Sequence, residues 1–131
     1  MSSKRSEWLV RVYYEDTDFS GRVYHASYLR FLERGRTEWL RALGFTHQEL
    51  AENSGVVFAV RSLQIDFFAP ARIDDLLRVE TAADAVRGAS IDFSQRVFRD
   101  DKELIAARVL VAAIRDGHST RLPAALRRGL L

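Results

Sequence analysis

The sequence predicts an α+β domain in which a curved antiparallel sheet wraps around one long helix. Near the front, one alternating segment is followed by a single long stretch whose apolar residues recur at helical spacing. From Val56 to Ile114 the chain then reads as strands joined by tight turns. One strand, one helix, then hairpins is the order of a helix packed on one face of an antiparallel sheet.

Trp8 to Asp16 is the first predicted strand, because Leu9, Arg11, Tyr13 and Glu15 alternate with Val10, Val12, Tyr14 and Asp16. Asp, Ser and Gly make Thr17 to Tyr24 a loop. A helix follows from about Ala26 to Leu43 and stops at Gly44. Tyr28, Phe31, Leu32, Gly35, Trp39, Ala42 and Leu43 form one broad face, widened by Leu29 and Leu40, with Arg30, Arg34, Thr37 and Arg41 opposite. So wide an apolar face predicts a mostly buried helix. Gly35 on that face costs ~1 kcal/mol of helix propensity relative to Ala, which close approach to a sheet or a symmetry partner explains.

Thr46 with Glu49 is a capping box that opens a short helix through about Asn53. Val56, Phe58 and Val60 alternate, then Leu63, Ile65 and Phe67 alternate in the opposite phase, so one long strand is bulged or bent at Arg61 and Ser62. Ala69-Pro70-Ala71 turns the chain. Leu76 to Val86, Ala89 to Arg99 and Glu103 to Ile114 are the remaining strands, joined at Arg87-Gly88 and Asp100-Asp101-Lys102. Residues 115–131 read as a basic, weakly patterned C-terminal tail. No repeat or linker divides the chain, so residues 1–131 form a single domain.

A hydrophobic content of 47% suffices for one core in 131 residues. A chain this small buries only part of its apolar surface, so association with a second copy would help stability. The net charge is +2 and no long basic tract is present, which argues against nucleic acid as a partner. Without cysteine there is no disulfide, thiolate metal site or cysteine nucleophile. No apolar run approaches a membrane span and no secretory h-region stands at the front, so the expected compartment is the cytoplasm.

Chemistry concentrates between Glu15 and Arg36. Asp18 stands in a short Gly-containing loop immediately ahead of the long helix, whose start carries unpaired N–H groups and the positive end of the macrodipole. A carboxylate beside such an oxyanion site is what hydrolysis of an activated acyl group needs. Asp16 and Asp18 would share one side of an extended chain, as a metal site or an acid/base dyad, or would make turns that favour the helix dipole. His25 and Ser27 stand where caps usually do, and Asp16, Asp18 and His25 lack any standard metal-ligand spacing. No G-x-S-x-G elbow occurs, and His47 and His118 are not placed to activate a serine. Arg36 falls on the apolar flank of the helix, where a charge snorkels or meets a carboxylate across an interface, as a structural ion pair or in a catalytic role. Arg87-Gly88-Ala89-Ser90 offers a guanidinium, backbone N–H groups and a hydroxyl that suit a phosphate, or is simply an exposed turn.

Residues 15–36 resemble the acidic-loop motif of the 4-hydroxybenzoyl-CoA thioesterase family of the hotdog fold. Asp18, Gly21, Val23, Tyr24, His25, Ser27, Tyr28 and Phe31 occur in its order. The wording Y-Y-E-D-T-D, V-Y-H-A-S-Y and F-x-E-R-x-R-T-E is similar to the Tol-Pal system-associated acyl-CoA thioesterases. Phe67 to Asp75 and Arg87 to Ser90 agree, and the likeness covers about residues 8–115. It implies a hotdog fold and hydrolysis of acyl-CoA, or of acyl carrier protein thioesters, without metal or other cofactor. It also implies a homo-oligomer, dimer or tetramer. Carried over, Asp18 is the catalytic carboxylate, and the His25 N–H polarises the thioester carbonyl. Tyr24, His25 and Tyr28 line the acyl or pantetheine channel. Arg87, Gly88 and Ser90 bind the CoA nucleotide from the neighbouring subunit. Phe19-Ser20 stands where many members have small residues, which would narrow the acyl pocket, and Gly35 replaces an expected alanine. A hotdog domain can also hydrate or dehydrate acyl thioesters, for which His25 beside Asp18 is suited, or bind acyl-CoA without catalysis.

Overall fold

The computed structural model describes residues 5–130. In chain order the elements are β1 (Arg5–Arg11), a 3-10 turn (Tyr14–Asp16), α1 (His25–Ala42), α2 (His47–Ser54), β2 (Val57–Phe67), β3 (Leu76–Val86), β4 (Ser90–Arg99), β5 (Lys102–Arg115), β6 (His118–Ser119) and α3 (Ala124–Leu130). The strands pair antiparallel in the order β1-β3-β4-β5-β2, with β6 on the end of β5. This is the predicted α+β hotdog arrangement.

Period-two alternation builds the core. Leu77, Val79 and Thr81 of β3, Ile91, Phe93, Gln95 and Val97 of β4, and Ile105, Ala107, Val109 and Val111 of β5 are buried. Against them α1 lays Tyr28, Phe31, Leu32, Trp39 and Leu40. Gly35 lets this helix lie close to the sheet, since an added Cβ would fall 2.8 Å from Val79 Cγ1. Beside it the fully buried Gln95 donates to the Leu32 carbonyl and to Thr81 Oγ1, each at 2.9 Å. Its Oε1 accepts from Arg36 Nη1 at 3.0 Å. Within the chain Arg36 therefore meets a buried amide, and burial pushes its guanidinium below the usual value.

The predicted bulge in β2 lies between Val60 and Ser62. Further register shifts, at Asp84 of β3 against β4 and at Leu104 of β5 against Val97 and Phe98 of β4, had no sequence signal. The first strand is shorter than its alternation predicts. It ends at Arg11 because the Asp16 carboxylate takes the Tyr13 N–H at 2.8 Å and curls Tyr14–Asp16 into a 3-10 turn. Helix α2 opens as expected, with Thr46 Oγ1 accepting the Glu49 N–H. The basic, weakly patterned C-terminal stretch packs on the core: after β6, Leu122, Leu126 and Leu130 are buried with Trp39, Leu40 and Phe93. Leu126 and Leu130, four residues apart, share one face of α3, and Leu122 packs just ahead of it. Residues 1–4 and 131 lie outside the described residues.

Candidate active site

Residues 17–24 form a small closed loop between the 3-10 turn and α1. Thr17 bridges Val23, Asp18 N–H bonds the Arg22 carbonyl at 3.0 Å, and Gly21 N–H returns to the Asp18 carbonyl at 3.0 Å. Gly21 has φ +80, a backbone state that other L residues adopt at a cost, which is why glycine stands there. This loop holds Asp18 out in solvent while fixing its side chain. Asp18 Oδ1 accepts the Ser20 N–H at 2.8 Å and also the Ser20 hydroxyl. Those two donors, helped by the nearby Arg22 and His25, hold the Asp18 carboxyl below its usual range against the opposing effect of desolvation.

Helix α1 begins at His25 with Tyr24 as N-cap, and no side chain caps it. His25 and Ser27, expected as caps, do other work. The His25 ring stacks on Phe67 at 4.7 Å, while buried Ser27 accepts from Arg30 Nη2 at 3.0 Å. Ser27 N–H bonds the Tyr24 carbonyl, leaving the N–H groups of His25 and Ala26 beyond reach of any intrahelical carbonyl. They carry the positive end of the helix dipole.

Asp18, Ser20, Arg22, Val23, Tyr24, His25 and Tyr28 line one side of a cavity of about 460 Å³. Its other wall is Phe67 to Pro70, the chain leaving β2. That wall is anchored from behind. Buried Tyr28 receives the Ala71 N–H on its hydroxyl at 2.9 Å, and the Ala71 carbonyl takes the Val23 N–H at 2.9 Å. Arg99 Nη1 reaches the Pro70 carbonyl at 3.3 Å and Asp75 Oδ2 at 2.9 Å. Burial pushes the Tyr28 phenol above its ordinary pKa, so it stays neutral.

The structure thus brings Asp18, Tyr24, His25 and Tyr28 to one cavity and leaves Arg87, Gly88 and Ser90 out of it. Arg87 pairs with Asp92 at the β3–β4 turn, its N–H bonds the Ser90 carbonyl at 2.8 Å, and the Gly88 carbonyl takes the Leu122 N–H at 2.8 Å. Eleven residues of β3, roughly 35 Å of strand, separate this turn from the chain that walls the cavity. Phe19, expected to narrow the pocket, points wholly into solvent at 106% relative exposure. Asp16 turns away from Asp18: its carboxylate serves the Tyr13 N–H and its carbonyl takes the Tyr24 N–H. Among the described residues no group of three His, Cys, Asp or Glu side chains is gathered so as to hold a metal ion. Sequence reasoning missed the lining by Arg22 and the Tyr28–Ala71 tie, whereas Ser20, expected at the acyl pocket, does line the cavity. The aromatic pair Phe67-Phe68 ahead of a proline turn was the signal for the opposite wall.

Residues 20–106 match the family model described as Thioesterase superfamily. The chain is 53% identical over 105 residues to the "Acyl-CoA thioesterase YbgC" of Haemophilus influenzae, covering 80% of this chain and 77% of that one. It is 45% identical over 115 residues to the "Acyl-CoA thioester hydrolase YbgC" of Escherichia coli, covering 87% and 85%. A solved probable thioesterase from Bartonella henselae superposes with TM-score 0.88 at 41% identity, over 91% of this chain and 99% of that one. The 4-hydroxybenzoyl CoA thioesterase of Pseudomonas sp. strain CBS-3 shares the fold, with TM-score 0.90 at 20% identity over 96% and 99%. With a family model matched over most of its length and relatives this alike, the chain belongs to the thioesterase superfamily.

Proposed function

We propose that this thioesterase hydrolyses acyl-CoA thioesters to the free acid and CoA, with Asp18 as its catalytic carboxylate. The supporting observation is the juxtaposition of an ionised carboxylate and an uncapped helix start on the rim of one cavity. A thioester carbonyl seated at the His25 N–H would have its developing oxyanion stabilised by that donor and the α1 dipole. Asp18 then either attacks the carbonyl carbon, forming a mixed anhydride that water hydrolyses, or removes a proton from the attacking water. In both routes the thiolate of CoA leaves and takes up a proton. Tyr24, His25 and Tyr28, with Phe67 and Phe68, give the acyl group an aromatic-lined seat. Hydration chemistry would draw on a His25–Asp18 pair, yet the His25 ring is stacked on Phe67 and no hydrogen bond joins it to Asp18 among the described residues.

The working unit we infer is a homo-oligomer, a dimer or tetramer, in the cytoplasm; no helix among the described residues is long and apolar enough to cross a membrane. Strand β2 is an edge, and Val57, Val60, Leu63 and Phe67 stay exposed along it, as does Leu29 of α1. A second copy paired there would cover them. It would also let Arg87, Gly88 and Ser90 of one copy meet the CoA phosphates bound at another's Asp18, which the length of β3 forbids within one chain. Active enzyme sedimenting as a monomer would refute that assembly. Asp18 is exposed, so Asp18→Asn is expected to fold normally and to lose about 10³-fold or more in kcat on acyl-CoA substrates. Folded Asp18→Asn enzyme with near wild-type turnover would sink the assignment.

A further inference from the structure

We infer that Ser20 is a positioning residue for the Asp18 carboxylate, holding one of its oxygens through two donors so that the other faces the substrate. This rests on the reading of Asp18 as the catalytic group.

Both donors of Ser20, its backbone N–H at 2.8 Å and its hydroxyl, converge on the same atom, Asp18 Oδ1. Oδ2 receives no hydrogen bond among the described residues. The two oxygens of one carboxylate are thereby made unequal: Oδ1 is fixed and its charge partly neutralised, and Oδ2 is left to attack or to take a proton. An exposed Asp side chain otherwise turns among several rotamers. Asp18 is fully exposed, and neither Arg22 nor His25 makes an ion pair with it within 4 Å, so the Ser20 hydroxyl is the side-chain contact that restrains it. The hydroxyl also reaches back as an acceptor to the Arg22 N–H at 3.4 Å, tying the loop's two limbs together.

The same contact favours the charged over the protonated carboxyl and is the largest cause of the depressed Asp18 ionisation. Arg22 and His25 act in the same direction, and Tyr24 and Tyr28 are the other titratable side chains lining the cavity around it. Ser20 therefore lets the enzyme work at a lower pH than the loop would allow without a hydroxyl. Phe19, beside it, plays no such part, for its ring leaves the cavity.

Ser20→Ala is the discriminating variant, because it keeps the backbone N–H and removes only the hydroxyl. Acyl-CoA hydrolysis by wild type, Ser20→Ala, Ser20→Thr and Asp18→Asn would be followed across the acid range. Ser20→Ala is expected to lower kcat by roughly three- to tenfold, the scale of one exposed hydrogen bond, with KM unchanged. Its acid limb of kcat/KM should move to higher pH. Arg22 and His25 are common to the serine variants, so their influence cancels in the comparison. Ser20→Thr should restore both quantities. A purely structural role for Ser20 would change stability without moving the limb. If Asp18→Asn is inactive while Ser20→Ala matches wild type in kcat and limb, Ser20 does not position the carboxylate. If Asp18→Asn stays active, the catalytic assignment fails, and this inference with it.

Discussion

Tyr28→Phe removes one oxygen from the structure and should cost more than its size suggests. The hydroxyl accepts the Ala71 N–H at 2.9 Å, and both residues are buried, at 2% and 0% exposure. Phe at this position keeps the ring packing on Phe31 and Phe67 but strands the Ala71 N–H where water does not reach. An orphaned buried donor costs about 1–3 kcal/mol. At roughly 2 cal/mol/K of unfolding entropy per residue, that lowers the melting temperature of a chain of this length by about 4–11 °C. Urea unfolding at fixed protein concentration should show a lower midpoint with unchanged slope, since no surface exposed on unfolding is altered. Kinetics give a second reading. Ala71 follows directly on the Phe67 to Pro70 wall, so loosening it should raise KM for acyl-CoA more than it lowers kcat. A stability loss under ~0.5 kcal/mol, with amide exchange at Ala71 as slow as in wild type, would refute the anchoring role.

Two further outcomes follow from the packing of α1 and from the Asp18 loop. Gly35→Ala gains ~1 kcal/mol of helix propensity but drives a Cβ to 2.8 Å from Cγ1 of the buried Val79 and to 3.1 Å from Thr81 Oγ1, so overpacking of about 1–3 kcal/mol should win and urea unfolding should show net destabilisation. A Gly35→Ala protein more stable than wild type would show that the helix can lift off the sheet without loss. The wild-type pH profile should keep its activity to below the range of an ordinary Asp, because the depressed Asp18 carboxyl is ionised above its own pKa and is protonated only as pH falls through it. An acid limb at or above the usual carboxylate range would mean that another group limits the reaction.

Features governed by a short local period were legible in the sequence. The helix face from Tyr28 to Leu40, the capping box at Thr46, and the bulge at Arg61 each follow from neighbours a few residues apart. The buried face of α3, Leu126 and Leu130, obeys the same rule, but three arginines and a proline around it masked the pattern. Contacts that join distant positions left no such trace. That Arg36 would find Gln95, or Tyr28 the Ala71 N–H, depends on which rows of the sheet face the helix.

The candidate site divides in the same way. Placing an acid at the helix entry could be read from residues 15–36, whereas the separate duties of Asp16 and Asp18 could not. Both are acids in a turn-forming stretch, with one residue between them. Their difference is where their oxygens point. Asp16 spends its carboxylate on the Tyr13 N–H and its carbonyl on Tyr24, and so sets the path of the chain into α1. With that path fixed, the loop bond from Asp18 N–H to the Arg22 carbonyl turns the Asp18 side chain outward, where Ser20 holds only one of its oxygens. A backbone hydrogen-bond pattern, and not residue type, separates the acid that shapes the loop from the one free to react. Replacing Asp16 should therefore disturb the geometry of the cavity, whereas replacing Asp18 should leave that geometry intact and remove the chemistry.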